Sequence, residues 1–324
     1  MEYTTLGSTG MEVSQLCLGC MSFGSGDEWM LDEDESTELI ERAIDLGINF
    51  FDTANVYSAG ESESILGDAL EGYDRDELVV ASKVRYSGAN DHRNATGLSR
   101  KTIEQELEAS LDRLGMETLD LYQIHRWDYD TPIETTLRAL DDAVRRGSVR
   151  HVGASSMWAH QFLAARRVSE REGLVPFETM QNLHHLVYRE EEREMFPACR
   201  THDVATIPWS PLAAGYLARP HEEFRATTRG DHEAERIGVP YHELPASEEI
   251  NERVRELADE YDATMAQIAL AWQFDHDDVT APIVGTTSVE HLEEAVEALE
   301  ISLSASDVDY LEEPYEPVPV YGHE

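Results

Sequence analysis

Lysine is almost absent from this chain of 324 residues, which contains only Lys83 and Lys101 beside 23 arginines. Against these cations stand 66 acidic residues, and the formal net charge is −41. Nucleic acids and anionic membranes are therefore disfavoured as partners, because both require positive patches on a protein. At roughly molar salt the Debye length falls to about 3 Å, which screens most of the self-repulsion of such a chain. The composition thus indicates a halophilic protein adapted to a salt-rich cytoplasm.

Long apolar runs and paired cysteines are also missing. No apolar stretch approaches the roughly 18 residues of a membrane-spanning helix, and the start, MEYTTLGSTG, lacks a signal-peptide pattern. We therefore expect a cytoplasmic protein. Cys17, Cys20 and Cys199 form no even-numbered disulfide framework. The first two lie in the apolar run LCLGCM, so we interpret them as small residues of a buried strand rather than as a redox or metal motif.

Eight short apolar runs alternate with amphipathic helical patterns such as 36–47, 100–115 and 133–147. The runs lie at 15–21, 48–53, 77–83, 119–125, 149–156, 178–183, 204–210 and 281–286. Eight strands alternating with helices predict a parallel (β/α)8 TIM barrel forming one domain over 1–324. A doubly wound open sheet is the alternative, but no GxGxxG motif is present.

Two further segments frame the predicted barrel. The opening, YTTLGSTGMEVSQL, is typical of an N-terminal β-hairpin with a Gly-Ser-Thr-Gly turn. A long irregular stretch, roughly 211–246, follows strand 7 of the barrel. Unstructured stretches of that length in a compact domain are usually functional, so we expect a lid or binding loop.

Polar side chains follow three neighbouring strands of the predicted barrel, where barrel active sites form. Asp52 follows INFF, Lys83 follows LVVAS and His125 follows LYQI, while Tyr57 lies five residues after Asp52 in the same loop. Each alone could be a cap, a surface residue or a packed side chain. Their convergence at successive strand ends predicts that the four form a catalytic group.

The chemistry of this group follows from its residue types. A phenol with a pKa near 10 is a poor acid at neutral pH. An ammonium about 4 Å away stabilises a tyrosinate by roughly 4 kcal/mol at an effective dielectric near 20. Because burial tends to deprotonate lysine, Asp52 is needed to keep Lys83 charged. With His125 donating to a carbonyl, the group is predicted to act as a general acid aimed at a carbonyl oxygen.

The motifs FDTANVY, ASK, LDLYQIHRWD, VGASS, MQN and PWSPLAAG occur in this order along the chain. Together they resemble the aldo-keto reductases. The segments MQNLHHLVYREEEREM and YLEEPYEPVPVYGH look like the subgroup related to the Shaker potassium-channel β subunit. The resemblance implies a nicotinamide cofactor and hydride transfer to an aldehyde or ketone. It also implies that Tyr57 is the proton donor, assisted by Lys83 and Asp52, with His125 positioning the carbonyl.

The resemblance further implies a set of cofactor-binding residues. Ser155 and Gln181 fall where the family binds the carboxamide of the nicotinamide. Trp209 falls where an aromatic ring stacks on the nicotinamide. Ser210, Leu212 and Gly215 fall where a loop covers the pyrophosphate. The remaining implied contacts are Met21, Ser22, Asp52, Ser156, Gly285, Thr286, Thr287, Ser288, His291 and Glu294. A helix follows 286–288, and its free N–H groups favour an anion.

Three positions depart from the family pattern. Ser156 replaces the usual Asn, and His184 stands where related sequences often carry an aromatic residue. His291 stands where many members place an arginine on the 2′-phosphate of NADP. We expect NADPH as the cofactor, with NADH possible.

Phe23, Trp29, Tyr57, His125 and Trp127 are the expected substrate contacts, three of them as aromatic walls of an apolar pocket. An NADP-dependent carbonyl reductase, as a monomer or small homo-oligomer, is the expected function. A cofactor-loaded regulatory subunit of a membrane channel with little turnover is the alternative. A metal-dependent barrel hydrolase is disfavoured because His-x-His ligand pairs are missing from the strand ends, and we expect no metal.

Overall fold

An eight-stranded parallel sheet closes into a barrel in this computed structural model, which describes residues 1–27, 29–89, 92–224 and 240–323. The strands in chain order are β1 Tyr3–Thr5, β2 Glu12–Ser14, β3 Cys17–Gly19, β4 Phe50–Asp52, β5 Val79–Val84, β6 Leu119–Ile124, β7 Val149–Ser155, β8 Thr179–Gln181, β9 Ala205–Thr206 and β10 Ile283–Val284. Strands β3 to β9 pair in chain order, and β10 pairs with β3. The Ile283 N–H donates to the Pro208 carbonyl at 2.8 Å and joins the two ends. The predicted (β/α)8 fold is confirmed.

Helices cover the outside of the sheet between successive strands. They are α1 Glu33–Asp45, α2 Glu61–Ala69, α3 Arg100–Leu114, α4 Ile133–Arg145, α5 Ala159–Glu172, α6 Met195–Thr201, α7 His221–Phe224, α8 Ser247–Tyr261, α9 Met265–Phe274, α10 Val289–Glu297 and α11 Ala305–Glu312. Helix α1 shows why they form where they do. Asp32 caps its first turn in a capping box with Glu35, and Leu39, Ile40 and Ala43 form one buried face at helical spacing.

The predicted N-terminal hairpin is present and lies at the amino-terminal end of the barrel. Strands β1 and β2 pair antiparallel around a 3₁₀ turn at Gly7–Thr9. Leu6 and Val13 of the hairpin pack with Cys17, Phe50 and other residues inside the barrel. The hairpin thereby closes the bottom of the barrel, so the opposite, carboxyl-terminal end remains for a site.

Side chains fill the barrel interior tightly, and β7 shows how closely. A Cβ atom on Gly153 would lie 2.0 Å from Thr179 Oγ1, so only glycine fits there. Cys17 and Cys20 are fully buried free thiols, and burial raises the pKa of both well above the ordinary value. These cysteines pack as apolar residues, in agreement with the interpretation of the LCLGCM run.

The predicted long loop after β9 is only partly irregular. Its described parts contain a 3₁₀ segment at Ala213–Ala218, helix α7 and a 3₁₀ turn at Tyr241–Glu243. The segment 225–239 lies outside the described residues. Tyr216 and Leu217 are fully buried against α8 and α9, so hydrophobic packing anchors the first part of the loop. Among the described residues, no helix is both long enough and apolar enough to cross a membrane.

Acidic side chains cover the outer faces of the helices. On α1 the exposed ones are Glu33, Asp34, Glu35, Glu38, Glu41 and Asp45. With a net charge of −41, these carboxylates repel one another at low ionic strength, and the repulsion weakens as the Debye length shortens. The outer surface, rather than the barrel core, should therefore make stability depend on salt.

We expect the thermal unfolding midpoint to rise by a few degrees between low and molar KCl. Each kcal/mol of stability shifts the midpoint by roughly 2–4 °C in proteins above about 150 residues. Circular dichroism melts measure the shift. A Glu38→Gln, Glu41→Gln double variant, which removes two exposed charges from α1, should show a smaller rise. A midpoint that stays flat or falls with KCl would contradict the prediction.

Candidate active site

A cleft of about 1480 Å³ opens at the carboxyl ends of the barrel strands. Most of the predicted site residues line it: Met21, Trp29, Asp52, Tyr57, His125, Gln181, Trp209, Ser210, Leu212, Gly215, Gly285, Thr286, Thr287, His291 and Glu294. Lys83, Ser22, Ser155 and Ser156 lie buried beneath its surface. Ser288 caps the first turn of α10 with its side chain. Residues predicted from strand ends and from the family resemblance thus lie together, although they come from the whole length of the chain.

The floor of the cleft holds a buried ion pair between Lys83 and Asp52. The Lys83 Nζ lies 2.5 Å from Asp52 Oδ1, 3.0 Å from the Thr53 carbonyl oxygen and 3.1 Å from the Tyr57 hydroxyl. These three contacts use all three ammonium hydrogens. Burial by itself lowers the pKa of Lys83, but the Asp52 carboxylate and Tyr57 outweigh it and raise the pKa above its ordinary value. Lys83 therefore stays charged although its side chain is fully buried.

Two glutamine side chains hold the other oxygen of the carboxylate. Gln123 Nε2 and Gln181 Nε2 each donate to Asp52 Oδ2 at 2.9 Å. Gln123 was missed in the sequence. Gln123 lies on β6, two residues before His125. Because side chains alternate along a strand, both residues are on the same face, and this spacing could have identified Gln123 as a site residue. With three donors on its two oxygens, Asp52 is fixed in position.

Tyr57 reaches Lys83 because the chain after β4 makes an unusual turn. Ser58 and Ala59 have φ of 47° and 54°, in the left-handed region that non-glycine residues rarely adopt, and Gly60 follows at 96°. Ser58 Oγ donates to the Phe23 carbonyl at 2.7 Å and anchors the turn. Such backbone strain persists only where surrounding contacts fix it, and it often marks functional sites.

His125 packs beside Tyr57 at the end of β6. The two rings lie edge to face with centroids 5.8 Å apart, and the Tyr86 ring contacts the imidazole from 5.3 Å. His125 Nδ1 is buried and has no hydrogen-bond partner among the described residues. Burial, reinforced by the Lys83 and Arg126 cations, holds the pKa of His125 well below its ordinary value. The imidazole is therefore neutral at neutral pH.

The residues predicted to bind the carboxamide (Ser155 and Gln181) and to stack on the nicotinamide (Trp209) form one connected group. Ser155 Oγ donates to the Gln181 carbonyl at 2.8 Å. Trp209 Nε1 donates to Ser156 Oγ at 3.1 Å, so Ser156 orients the indole. Ser156 has a φ of 45°, a conformation that asparagine tolerates better than serine. The Asn that the family resemblance led us to expect there would adopt this backbone conformation more readily.

The far end of the cleft lies at the amino terminus of α10. Ser22 Oγ donates to the Thr286 carbonyl at 3.1 Å, linking the loops after β3 and β10. Ser288 accepts from the His291 N–H and caps the helix, whose remaining first-turn N–H groups are available to an anion. The hydroxyls of Thr286 and Thr287 and the His291 side chain line the same region. These groups suit a phosphate.

Two expected aromatic walls are not where the sequence predicted them. Phe23 is fully buried in the core between the sheet and the helices, because its bridge with Leu31 turns the β3–α1 loop inward. Trp127 packs against the same core and does not line the cleft. Trp29, by contrast, lines the cleft as expected.

Several cleft residues were missed because no sequence signal marks them. They are Tyr86, Arg126, Trp158 and Arg219 together with the tail segment 320–323. Gly322 of the tail has a φ of 80°, and a Cβ on it would lie 3.3 Å from the Trp209 ring. Arg219 follows the loop that begins at Ser210, and its buried Nε has no partner among the described residues. Tyr86, Arg126 and Trp158 follow the ends of β5, β6 and β7, whereas Arg219 and the tail come from connections that fold back over the barrel mouth.

The tail is held by consecutive glutamates of a 3₁₀ turn after β8. Glu190 accepts from the Tyr315 hydroxyl at 2.8 Å and from the Val318 N–H at 3.0 Å. Glu191 lies 2.9 Å from His323 Nε2, and the His323 ring packs on Trp158 with centroids 4.9 Å apart. The tail is therefore a fixed wall of the cleft.

His184 lies outside the cleft lining and packs as an aromatic ring. Its ring stacks on Trp272 with centroids 5.1 Å apart. His184, Glu192 and His276 place one ligand atom each within 4.8 Å of one another. Arg189 donates to both Glu192 oxygens at 2.8 Å, so this carboxylate is already neutralised by an arginine.

The geometry as a whole can deliver a proton to a bound oxygen atom. A phenol in contact with a buried ammonium, next to a neutral imidazole, faces a cleft with an aromatic ring and an anion-binding helix terminus. The cleft exceeds the roughly 300–1,000 Å³ of common small-ligand pockets. It has room for an extended ligand in addition to a small substrate.

Comparison with known proteins gives a consistent result. Residues 15–316 match the family model described as the aldo/keto reductase family. Versiconal hemiacetal acetate reductase of Aspergillus parasiticus is 41% identical, over 99% of both chains. Aldo-keto reductase AMT2 of Alternaria alternata is 39% identical over 99% of this chain and 93% of its own length. Aldo-keto reductase dtxS3 of Metarhizium robertsii is 40% identical over 100% and 93%.

We expect Lys83→Met to lower the free energy of unfolding by about 3–5 kcal/mol, because it leaves the buried Asp52 carboxylate without its cation. Urea denaturation followed by circular dichroism measures the loss. Lys101→Met is the matched control, since Lys101 lies exposed on α3 and its replacement should change stability by less than about 0.5 kcal/mol. Equal effects of the two substitutions would contradict the structural role of the pair.

Proposed function

The chain belongs to the aldo/keto reductase family, and on this premise we propose that it reduces an aldehyde or ketone to the alcohol with NADPH. One observation carries the proposal. The Tyr57 hydroxyl, at the floor of a large cleft, lies 3.1 Å from a lysine that Asp52 keeps charged. A bound reduced nicotinamide supplies the hydride. Tyr57, Lys83, Asp52 and His125 are proposed as the catalytic residues.

Tyr57 donates the proton to the carbonyl oxygen as the alcohol forms. The Lys83 ammonium stabilises the tyrosinate that remains, and no reorganisation is needed because Lys83 is already fixed by Asp52 and the Thr53 carbonyl. Gln123 and Gln181 keep the carboxylate in place. An arginine could not replace Lys83, since its planar fork does not fit three converging acceptors around one point charge.

His125 orients the carbonyl by donating from Nε2. Its Nδ1 is buried and has no partner within the described ranges, and a buried bare nitrogen is less costly than a buried unpaired N–H. The ring proton therefore belongs on Nε2, and the lowered pKa of His125 keeps the ring neutral. Two donors, from Tyr57 and His125, then converge on one oxygen atom.

The residues present fit a nicotinamide dinucleotide. Trp209 offers a ring that Ser156 holds in place, and Ser155 and Gln181 lie beside it for the carboxamide. Arg219, whose buried Nε has no hydrogen-bond partner in the part of the chain that the structure describes, suits the diphosphate. The first turn of α10 offers free N–H groups for the outer phosphate.

The proposal further specifies NADPH rather than NADH as the cofactor. Support comes from the Thr286 and Thr287 hydroxyls and from His291, all of which line the end of the cleft at α10. Glu294 lines it as well and opposes a phosphate, an effect that high salt weakens. The acidic composition supports a halophilic protein working in a salt-rich cytoplasm. The contacts that Tyr57 makes with Lys83 and His125 favour an enzyme over the alternative of a cofactor-loaded regulatory subunit of a channel.

We expect Tyr57→Phe to lower kcat for aldehyde reduction by about 100-fold or more, because general acid catalysis contributes roughly 10²–10⁴-fold. Initial rates of oxidation of NADPH by aromatic aldehydes in molar KCl measure it. Tyr73→Phe, at an exposed tyrosine, is the control and should leave kcat unchanged. A loss below about tenfold in Tyr57→Phe would rule out Tyr57 as the proton donor.

NADPH should bind more tightly than NADH in fluorescence titrations at fixed high salt. His291→Ala should weaken NADPH binding by about tenfold, the equivalent of roughly 1.4 kcal/mol, and change NADH binding little, because His291 lines the end of the cleft proposed for the 2′-phosphate, which NADH lacks. His160→Ala, at an exposed histidine of α5, is the matched control. Tighter binding of NADH by the wild-type protein would overturn the cofactor assignment.

A further inference from the structure

Arg126 is a cation on the wall of the cleft without an anionic partner. It follows His125 directly, and its Nη1 donates to the His125 carbonyl at 2.7 Å and contacts Ser155 Oγ at 3.4 Å. Its Cζ lies 5.8 Å from the centre of the Trp209 ring. Among the described residues, no carboxylate forms an ion pair with it, and its Nε and Nη2 have no hydrogen-bond partner.

Leaving a guanidinium in such a place costs free energy. Burial lowers the pKa of Arg126, although the nearby Tyr86 and Tyr57 oppose the effect. A charge withdrawn from water is tolerated when a partner neutralises it. A ligand that brings an anion to Arg126 would supply that partner.

The position of Arg126 indicates which ligand brings the anion. The dinucleotide phosphates of the proposed cofactor already have suitable partners in Arg219 and the first turn of α10. Arg126 instead adjoins His125, which together with Tyr57 faces the carbonyl of the substrate. An anion at Arg126 therefore belongs to the same molecule as the carbonyl group.

We propose that Arg126 binds an anionic group of the substrate, so that the preferred substrates are aldehydes or ketones that also carry a carboxylate. Because Nη1 donates to the His125 carbonyl, the N–H groups of Nε and Nη2 remain available, and they lie side by side on the guanidinium. This pair of parallel donors matches the two oxygens of a carboxylate. The inference rests on the proposed carbonyl reduction and adds a substrate class to it.

Steady-state kinetics test the inference with matched substrates. The 2-, 3- and 4-carboxybenzaldehydes are compared with their methyl esters, which have similar shapes but no charge. The wild-type protein should have a lower KM for at least one acid than for its ester. In Arg126→Gln the ratio of the acid KM to the ester KM should rise roughly tenfold, as expected for loss of a charge-assisted pair. Arg167→Gln, at an exposed arginine of α5, should leave the ratio unchanged.

Equilibrium binding tests the same site without turnover. Isothermal titration of the protein saturated with NADP⁺ compares phenylglyoxylate with acetophenone, which lacks the carboxylate. Wild type should bind phenylglyoxylate more tightly, and Arg126→Gln should lose that preference. If no aldehyde is reduced, but wild type prefers phenylglyoxylate and Arg126→Gln does not, then the proposed carbonyl reduction is wrong and the proposed anion site is supported. Equal affinities in wild type, an unchanged preference in Arg126→Gln, or a variant that loses NADP⁺ affinity instead would overturn the anion site.

Discussion

The buried contact between Lys83 and Asp52 is the interaction on which the rest of the site depends. It joins the ends of β4 and β5, and Gln123 and Gln181 extend it to β6 and β8 through the second carboxylate oxygen. A charge pair in a barrel interior is stable only when every donor and acceptor is satisfied, and here each ammonium hydrogen has a partner. The pair holds a cation next to a phenol, and that arrangement gives the cleft its chemistry.

Charge is distributed differently on the outside and in the cleft. The helices carry exposed carboxylates and give the chain a net charge of −41, whereas in the cleft Arg126, Arg219 and the buried Lys83 stand beside Asp27, Asp52 and Glu294. An acidic surface repels anionic ligands at long range, but salt screens that repulsion within a few ångströms. Short-range contacts inside the cleft are screened much less. A dinucleotide and an acidic substrate can therefore both be recognised locally by a strongly acidic protein.

The wall of the cleft opposite the barrel floor is built by the end of the chain. Glu190 and Glu191 hold the segment that runs from Tyr315 to His323, and this segment packs on Trp158 and Trp209. The shape of the cleft thus depends on a buried turn after β8 and on the tail that this turn holds. Changes in the tail can alter the cleft without disturbing the ion pair beneath it.

The barrel, the hairpin and the residues at the strand ends could be predicted from the sequence alone, because local periodicity and the closing number of eight strands are encoded in short segments. Asp52, Lys83 and His125 follow apolar runs, and parallel strands bring such positions to one rim. The tertiary structure was needed to show that Phe23 turns into the core and that Arg126, in the cleft, has no carboxylate partner among the described residues. Those outcomes depend on loop conformations and on contacts between distant segments, for which a single sequence contains no periodic signal.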